Sequence, residues 1–197
     1  MRNDLEGIVA KIEELEAELK IELARRASML RFGLERGRVR FEQEVRRRHE
    51  MLRTSTWTYL LRANPLAVLT APFIYSLIVP LLLLDFFLLL YQATCFRAYG
   101  IKPVKRGDYF SFDRQYLAYL NPIEKLNCAF CSYANGLLAY ASEVASLTEK
   151  YWCPIKHARR LQGNHRRYRD FADYGDAEAY VAKIAEHDAI STKSNSH

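Results

Sequence analysis

The sequence predicts a mainly α protein: a long N-terminal helix, a membrane hairpin or single-pass segment, and a C-terminal helical module with little or no sheet. Three observations predict it. Apolar residues recur every 3, 4 or 7 positions through the first fifty residues. A nearly uncharged run then extends from Ala63 to Phe96. A second stripe, in alternating steps of 3 and 4, follows between Ile123 and Tyr151. These are helical periods, and the middle run is a membrane composition.

The first element, residues 1–53, is one charged amphipathic helix. Leu5, Ile8, Ile12, Leu15, Leu19, Leu23, Leu30, Leu34, Phe41, Val45 and Leu52 form its stripe. The spacing suits a coiled coil, and hence a homodimer through this helix, as far as Leu30. Beyond it Gly33 and Gly37 each weaken a helix by about 1 kcal/mol relative to alanine. Charge is polarised along the segment. Glu13, Glu14, Glu16, Glu18 and Glu22 dominate the first part, and Arg25, Arg26, Arg31, Arg36 and Arg46 to Arg48 the second. The N-terminus has no basic region followed by a short apolar stretch, so no removable signal peptide is expected.

Residues 54–96 are the interfacial entry and membrane segment. Trp57 and Tyr59 are residue types that favour the headgroup level. As one straight helix, Ala63 to Phe96 is about 51 Å long, against a hydrocarbon thickness of roughly 30 Å. Two arrangements follow: a single span over about Phe73 to Cys95, or a hairpin bent near Val79-Pro80. Both flanks are basic, with Arg46, Arg47, Arg48, Arg53 and Arg62 before the run and Arg97, Lys102, Lys105 and Arg106 after it. Cytoplasmic flanks are enriched in Lys and Arg, which favours the hairpin and places both ends in the cytoplasm. The bilayer and its anionic lipids are therefore the expected partners of Arg46, Arg47, Arg48, Arg97, Lys102, Lys105 and Arg106. Asp85 is the one charge inside the run. At the centre of a lone helix it costs about 2.5 to 3.5 kcal/mol, so it is expected either to face a partner group or to snorkel or be protonated.

Residues 97–190 form a cytosolic helical module containing cysteines. Gly100, Pro103 and Gly107 mark a turn-rich exit, and Asp113 is placed to cap a short helix through Leu120. Asn121-Pro122-Ile123-Glu124 is a helix start: Asn at N-cap, Pro at N1 and Glu at N3 to complete a capping box. Asn135-Gly136 is the weak point of the stripe that follows. A second start at Cys153-Pro154 leads into the basic stretch Lys156 to Arg169, then Asp176 to Ala189 forms a last amphipathic helix. Residues 191–197 are expected to be a disordered tail.

Four cysteines are too few and too unevenly spaced for a disulfide scaffold. Cys128 and Cys131 make a CxxC, and Cys153 with His157 a CxxxH, which are ligand types and local spacings of a zinc site, or less readily of an iron-sulfur cluster. An unbroken helix would hold Cys131 and Cys153 about 33 Å apart. A four-ligand site therefore needs a fold-back at Asn135-Gly136 or ligands from a second subunit. Cys128 and Cys131 alone, one helical turn apart, suit a redox pair or plain packing. The +6 net charge sits mostly beside the apolar run, so lipid is expected ahead of nucleic acid. No Gly-rich phosphate loop, G-x-S-x-G or H-E-x-x-H is present, so no hydrolase, kinase or nucleotide enzyme is indicated.

At L-N-C-A-F-C-S-Y-A-N-G-L (126–137) and Y-W-C-P-I-K-H-A (151–158) the chain resembles a family of small bacterial membrane proteins with an apolar segment ahead of this cysteine region. The resemblance covers roughly Trp57 to Tyr180. It implies that the cysteine region is the family's signature, and it implies no activity.

Overall fold

The computed structural model describes residues 2–29, 32–35, 38–41, 43–159 and 161–194. Leu30, Arg31, Arg36, Gly37, Arg160 and residues 195–197, which carry parts of the expected stripe, basic runs and tail, lie outside the described residues. The chain is mainly α and divides into two units, Met1–Ala63 with Asp113–Cys128, and Asn64–Phe112 with Ala129–His197.

In the first unit the N-terminal helix is shorter than the apolar stripe suggests. α1 runs Arg2–Met29, and a two-stranded antiparallel hairpin follows, β1 Phe32–Glu35 and β2 Arg38–Phe41, in the register Phe32↔Phe41 to Glu35↔Arg38. The chain then returns to helix in α2, Gln43–Met51. The single helix over 1–53 is thus corrected. Between Phe32 and Phe41 the sequence F-G-L-E and R-V-R-F alternates with period two, beside glycines that helices disfavour, a pattern that suits two paired strands. Ile8, Ile12, Leu15, Leu19 and Leu23 on α1 are 48–58% exposed, so none of the described residues of the unit covers this stripe. α3, Thr56–Arg62, exposes Trp57 and Leu61. The expected helix from Asp113 to Leu120 is only a 3-10 turn, Asp113–Tyr116. The ring of His49 meets those of Phe41 and Tyr119 edge-on at 5.2 and 5.1 Å.

The second unit is built on two helical stretches. α4, Pro65–Ser76, starts where the Asn64 side chain accepts a hydrogen bond from the Leu66 N–H at 3.0 Å. α5, Ile78–Tyr91, follows after one residue, and a π-turn, Gln92–Phe96, continues it. Pro80 has no N–H to give Ser76, yet Leu77 keeps right-handed helical angles (φ −62°, ψ −15°) and its N–H reaches Ile74 O at 3.2 Å. The helix tightens locally and does not reverse. The hairpin bend at Val79-Pro80 is therefore absent. Pro65–Phe96 is a helix of 32 residues, long and apolar enough to cross a membrane, with a mean hydropathy of 2.5 over its most apolar window and 6% of that window buried.

α6, Pro122–Trp152, is unbroken through Asn135-Gly136. Its start is the capping box: Asn121 Oδ1 accepts from the N–H groups of Ile123 and Glu124 at 3.0 Å each, and Glu124 Oε2 accepts from the Asn121 N–H at 2.9 Å. Gly136 serves close approach instead of flexibility. A Cβ there would stand 2.6 Å from the carbonyl oxygen of Tyr109 and 3.1 Å from the Phe110 ring. The core of the unit is Phe96, Leu137, Tyr140 and Val144, each at most 1% exposed. No helix starts at Cys153-Pro154. Ile155 instead pairs with Ala172 in an isolated parallel bridge, Lys156 N–H donating to Ala172 O and Ala172 N–H to Pro154 O, both at 2.8 Å. A 3-10 turn, Arg166–Asp170, precedes α7, Ala177–Ser194, which extends helix into the first residues of the expected tail.

Candidate functional site

Residues of α5 and α6 pair in a fixed order. The phenol of Tyr133 donates to Asp85 Oδ2 at 2.9 Å, Gln92 Nε2 donates to the Tyr140 hydroxyl, and Tyr91 and Thr148 share a hydrogen bond of 3.0 Å. Tyr99 stacks on Tyr151 with ring centroids 4.8 Å apart. Asp85 in the middle of α5 meets Tyr133, while Tyr91 and Gln92 at its end meet Thr148 and Tyr140 farther along α6, so the two helices run parallel. Parallel neighbours need a return connection, and residues 97–121 supply it. Part of that connection lies back along α5: the Val104 N–H donates to Gln92 Oε1 at 2.7 Å, and Arg106 reaches Asp85.

Asp85 is 7% exposed and fully engaged. Arg106 grips it bidentately, Nε to Oδ1 at 3.1 Å and an Nη to Oδ2 at 2.6 Å, while the guanidinium lies 4.1 Å from the Phe110 ring centroid. Two parallel charge-assisted bonds and a phenol satisfy a carboxylate that desolvation alone would disfavour. The partner raises its own groups: the Asp85 hydrogen bond lifts Arg106 further above its ordinary value. Tyr133 is also raised, by burial first and by Asp85 second, so the phenol stays protonated and donates. The sequence places Arg106 against lipid, and the structure spends its charge on Asp85. Gln92, Tyr133 and Tyr140 complete these polar contacts. The available signal was a matched heptad, Asp85 to Gln92 on one helix and Tyr133 to Tyr140 on the other.

Among the other basic candidates, Arg46 is exposed and paired with Glu50 at 3.1 Å, one helical turn on. Arg47, Arg48, Arg97, Lys102 and Lys105 are exposed.

The four sulfurs are free thiols; Cys95 and Cys128 are half-buried, Cys131 and Cys153 exposed. Cys128 and Cys131 lie one turn apart on α6, and Cys153 follows its last residue. With no break at Gly136, Cys131 and Cys153 are about 33 Å apart along the axis, so one chain cannot offer both to one ion. Among the described residues no three His, Cys, Asp or Glu side chains converge as a metal site. His157 is exposed, its ring stacked on Tyr168 with centroids 6.1 Å apart, and its backbone N–H donates to the Tyr168 hydroxyl at 2.6 Å. Partial desolvation pushes the Cys153 thiol up, with the Glu149 carboxylate adding to it.

A second polar cluster ties the 166–170 turn to α6. One Arg167 Nη donates to Glu143 Oε1 at 2.6 Å and the other to Ser146 Oγ at 2.7 Å, and His165 Nε2 lies 2.8 Å from Glu149 Oε2. The Arg167 hydrogen bond holds Glu143 below the usual carboxylate range against the desolvation that opposes it.

No family model matches the chain, and no curated protein or solved structure is significantly similar to it.

Proposed function

We propose that the protein is a membrane-anchored helical scaffold of a bacterial inner membrane, with both ends cytoplasmic. One observation carries this reading: an apolar helix of 32 residues whose most apolar window is only 6% buried. Surface of that kind is stable against hydrocarbon and costly against water. Exposed Arg47, Arg48, Lys102 and Lys105 supply attraction to anionic lipid, each worth roughly 1 kcal/mol near the surface. The uncovered stripe on α1 is the recruiting surface, and a second copy meeting it as a coiled coil makes the scaffold a homodimer. Changing Leu15 and Leu19 together to aspartate is expected to abolish crosslinking between copies and leave membrane association intact.

A metal-binding reading, structural zinc ahead of an iron-sulfur cluster, keeps one supporting observation: Cys128 and Cys131 lie at positions i and i+3 of an intact helix. Such a site takes Cys153 and His157 from a second subunit. A triple Cys128→Ser, Cys131→Ser, Cys153→Ser variant separates the two. The scaffold reading expects retained helicity and membrane localisation, with substoichiometric metal in the parent protein. Stoichiometric zinc together with loss of folding in the variant would favour the metal module.

A further inference from the structure

α5 has two unlike faces. Leu81, Asp85, Leu88, Gln92 and Phe96 lie toward α6 and the connection after Phe96, as core packing or as hydrogen-bond partners. Val79, Leu83, Phe86 and Leu90, in helical steps of 4, 3 and 4, fall on the opposite side and are 58, 54, 59 and 48% exposed. Every hydrogen-bonding side chain from Ile78 to Tyr91 is on or beside the first face. The second is hydrocarbon only.

We propose that α5 lies along the bilayer surface and not across it, with Val79, Leu83, Phe86 and Leu90 in the acyl-chain boundary and α6 on the water side; this rests on the membrane-anchor reading above. The covered face excludes a crossing. Residues 101–105 are irregular backbone leading into Arg106 and running beside Asp85 to Gln92, with Lys102 and Lys105 exposed on it. Irregular backbone does not stand against lipid hydrocarbon, whose core offers no partner for its N–H and C=O groups. α6 also brings the Glu143–Arg167 and Glu149–His165 pairs alongside the last turns of this stretch. A spanning α5 would draw these charges into the bilayer. An in-plane α5 leaves them in water.

Length agrees. Thirty-two residues make a helix of about 48 Å, too long for one span and too short for two, and an in-plane helix has no length to match. The basic flanks agree as well, because both then meet the same leaflet. The occupant is lipid because the bare face continues without a polar rim onto α4, where Leu66, Leu69 and Phe73 are 68–76% exposed. Protein-protein patches are rimmed with polar groups.

The test is depth measurement on the full chain, with its four cysteines changed to serine and one nitroxide at a time at Val79→Cys, Leu83→Cys, Phe86→Cys or Leu90→Cys, in phosphatidylcholine–phosphatidylglycerol vesicles. The in-plane helix places all four labels at the same shallow depth, within about 5 Å. A crossing helix spreads them over about 17 Å at 1.5 Å per residue, and a steady gradient of that size overturns the proposal. Labels shielded from both oxygen and a water-soluble nickel chelate mean that protein covers this face, which overturns the lipid occupant. Labels open to water with the chain unbound to vesicles bring down the anchor reading itself.

Discussion

Asp85 and Arg106 are the residues on which the anchor and the module turn. Removing one partner of a fully buried ion pair costs about 3–5 kcal/mol, because it strands the other charge. Here the Arg106 side chain is 40% exposed, so water offsets part of that loss. Arg106→Ala is expected to destabilise the second unit by about 2 kcal/mol in chemical denaturation, and adding Asp85→Asn to it should recover stability, since no stranded carboxylate is left. Equal loss in single and double variants would contradict the pairing. Glu143 gives a pH signature. Its folded pKa is depressed by Arg167, so the stability it contributes is complete above its unfolded value near 4.5 and is lost as pH falls through the lower folded value. Thermal melts of the parent protein should therefore fall in acid more steeply than those of Glu143→Gln, and parallel curves would show that the pair contributes nothing. At this scale the sequence is least legible. Asp85 asks for a partner, but nothing local says that it is Arg106, twenty-one residues on.

Elements were legible where their determinants are local. The Asn121 capping box is written in four adjacent residues, and the start of α6 has that geometry. The heptad stripe likewise yields one continuous helix. One reading failed for want of non-local information. Gly136 looked like a flaw in α6 because the carbonyl of Tyr109 that it admits comes from another segment. Gly136→Ala gains about 1 kcal/mol of helix propensity and pays a clash with backbone that commonly costs about 1–3 kcal/mol. The clash should win, lowering the melting temperature, and an unchanged or raised value would show that the Tyr109 loop yields freely. The hairpin after α1 was hidden for a different reason. Leu34 and Phe41 extend the seven-residue rhythm by coincidence, and the longer rhythm masked the two-residue alternation between them. Pro80 does not turn the chain back, since one missing hydrogen bond only tightens a helix.

For the whole molecule, the apolar helix decides what kind of protein this is. The mainly α architecture and the apolar run were readable from composition and period, whereas the run's continuity as one 32-residue helix was not, because Pro80 and the matched basic flanks pointed to a bend. What lies against the helix was not, because α6 and the return connection cover one of its faces through pairings far apart in sequence. That covering is also why the four candidate metal ligands stay apart: the same unbroken α6 that carries the Tyr133 and Tyr140 contacts holds Cys131 at one level and Cys153 at another. An anchor with a recruiting helix thus accounts for more of the chain than a metal module does. The most direct measurement is alkaline carbonate extraction of membranes from cells producing the full chain. The account predicts that the protein stays with the membrane pellet, whereas release of most of it into the supernatant would contradict membrane anchoring through Pro65–Phe96.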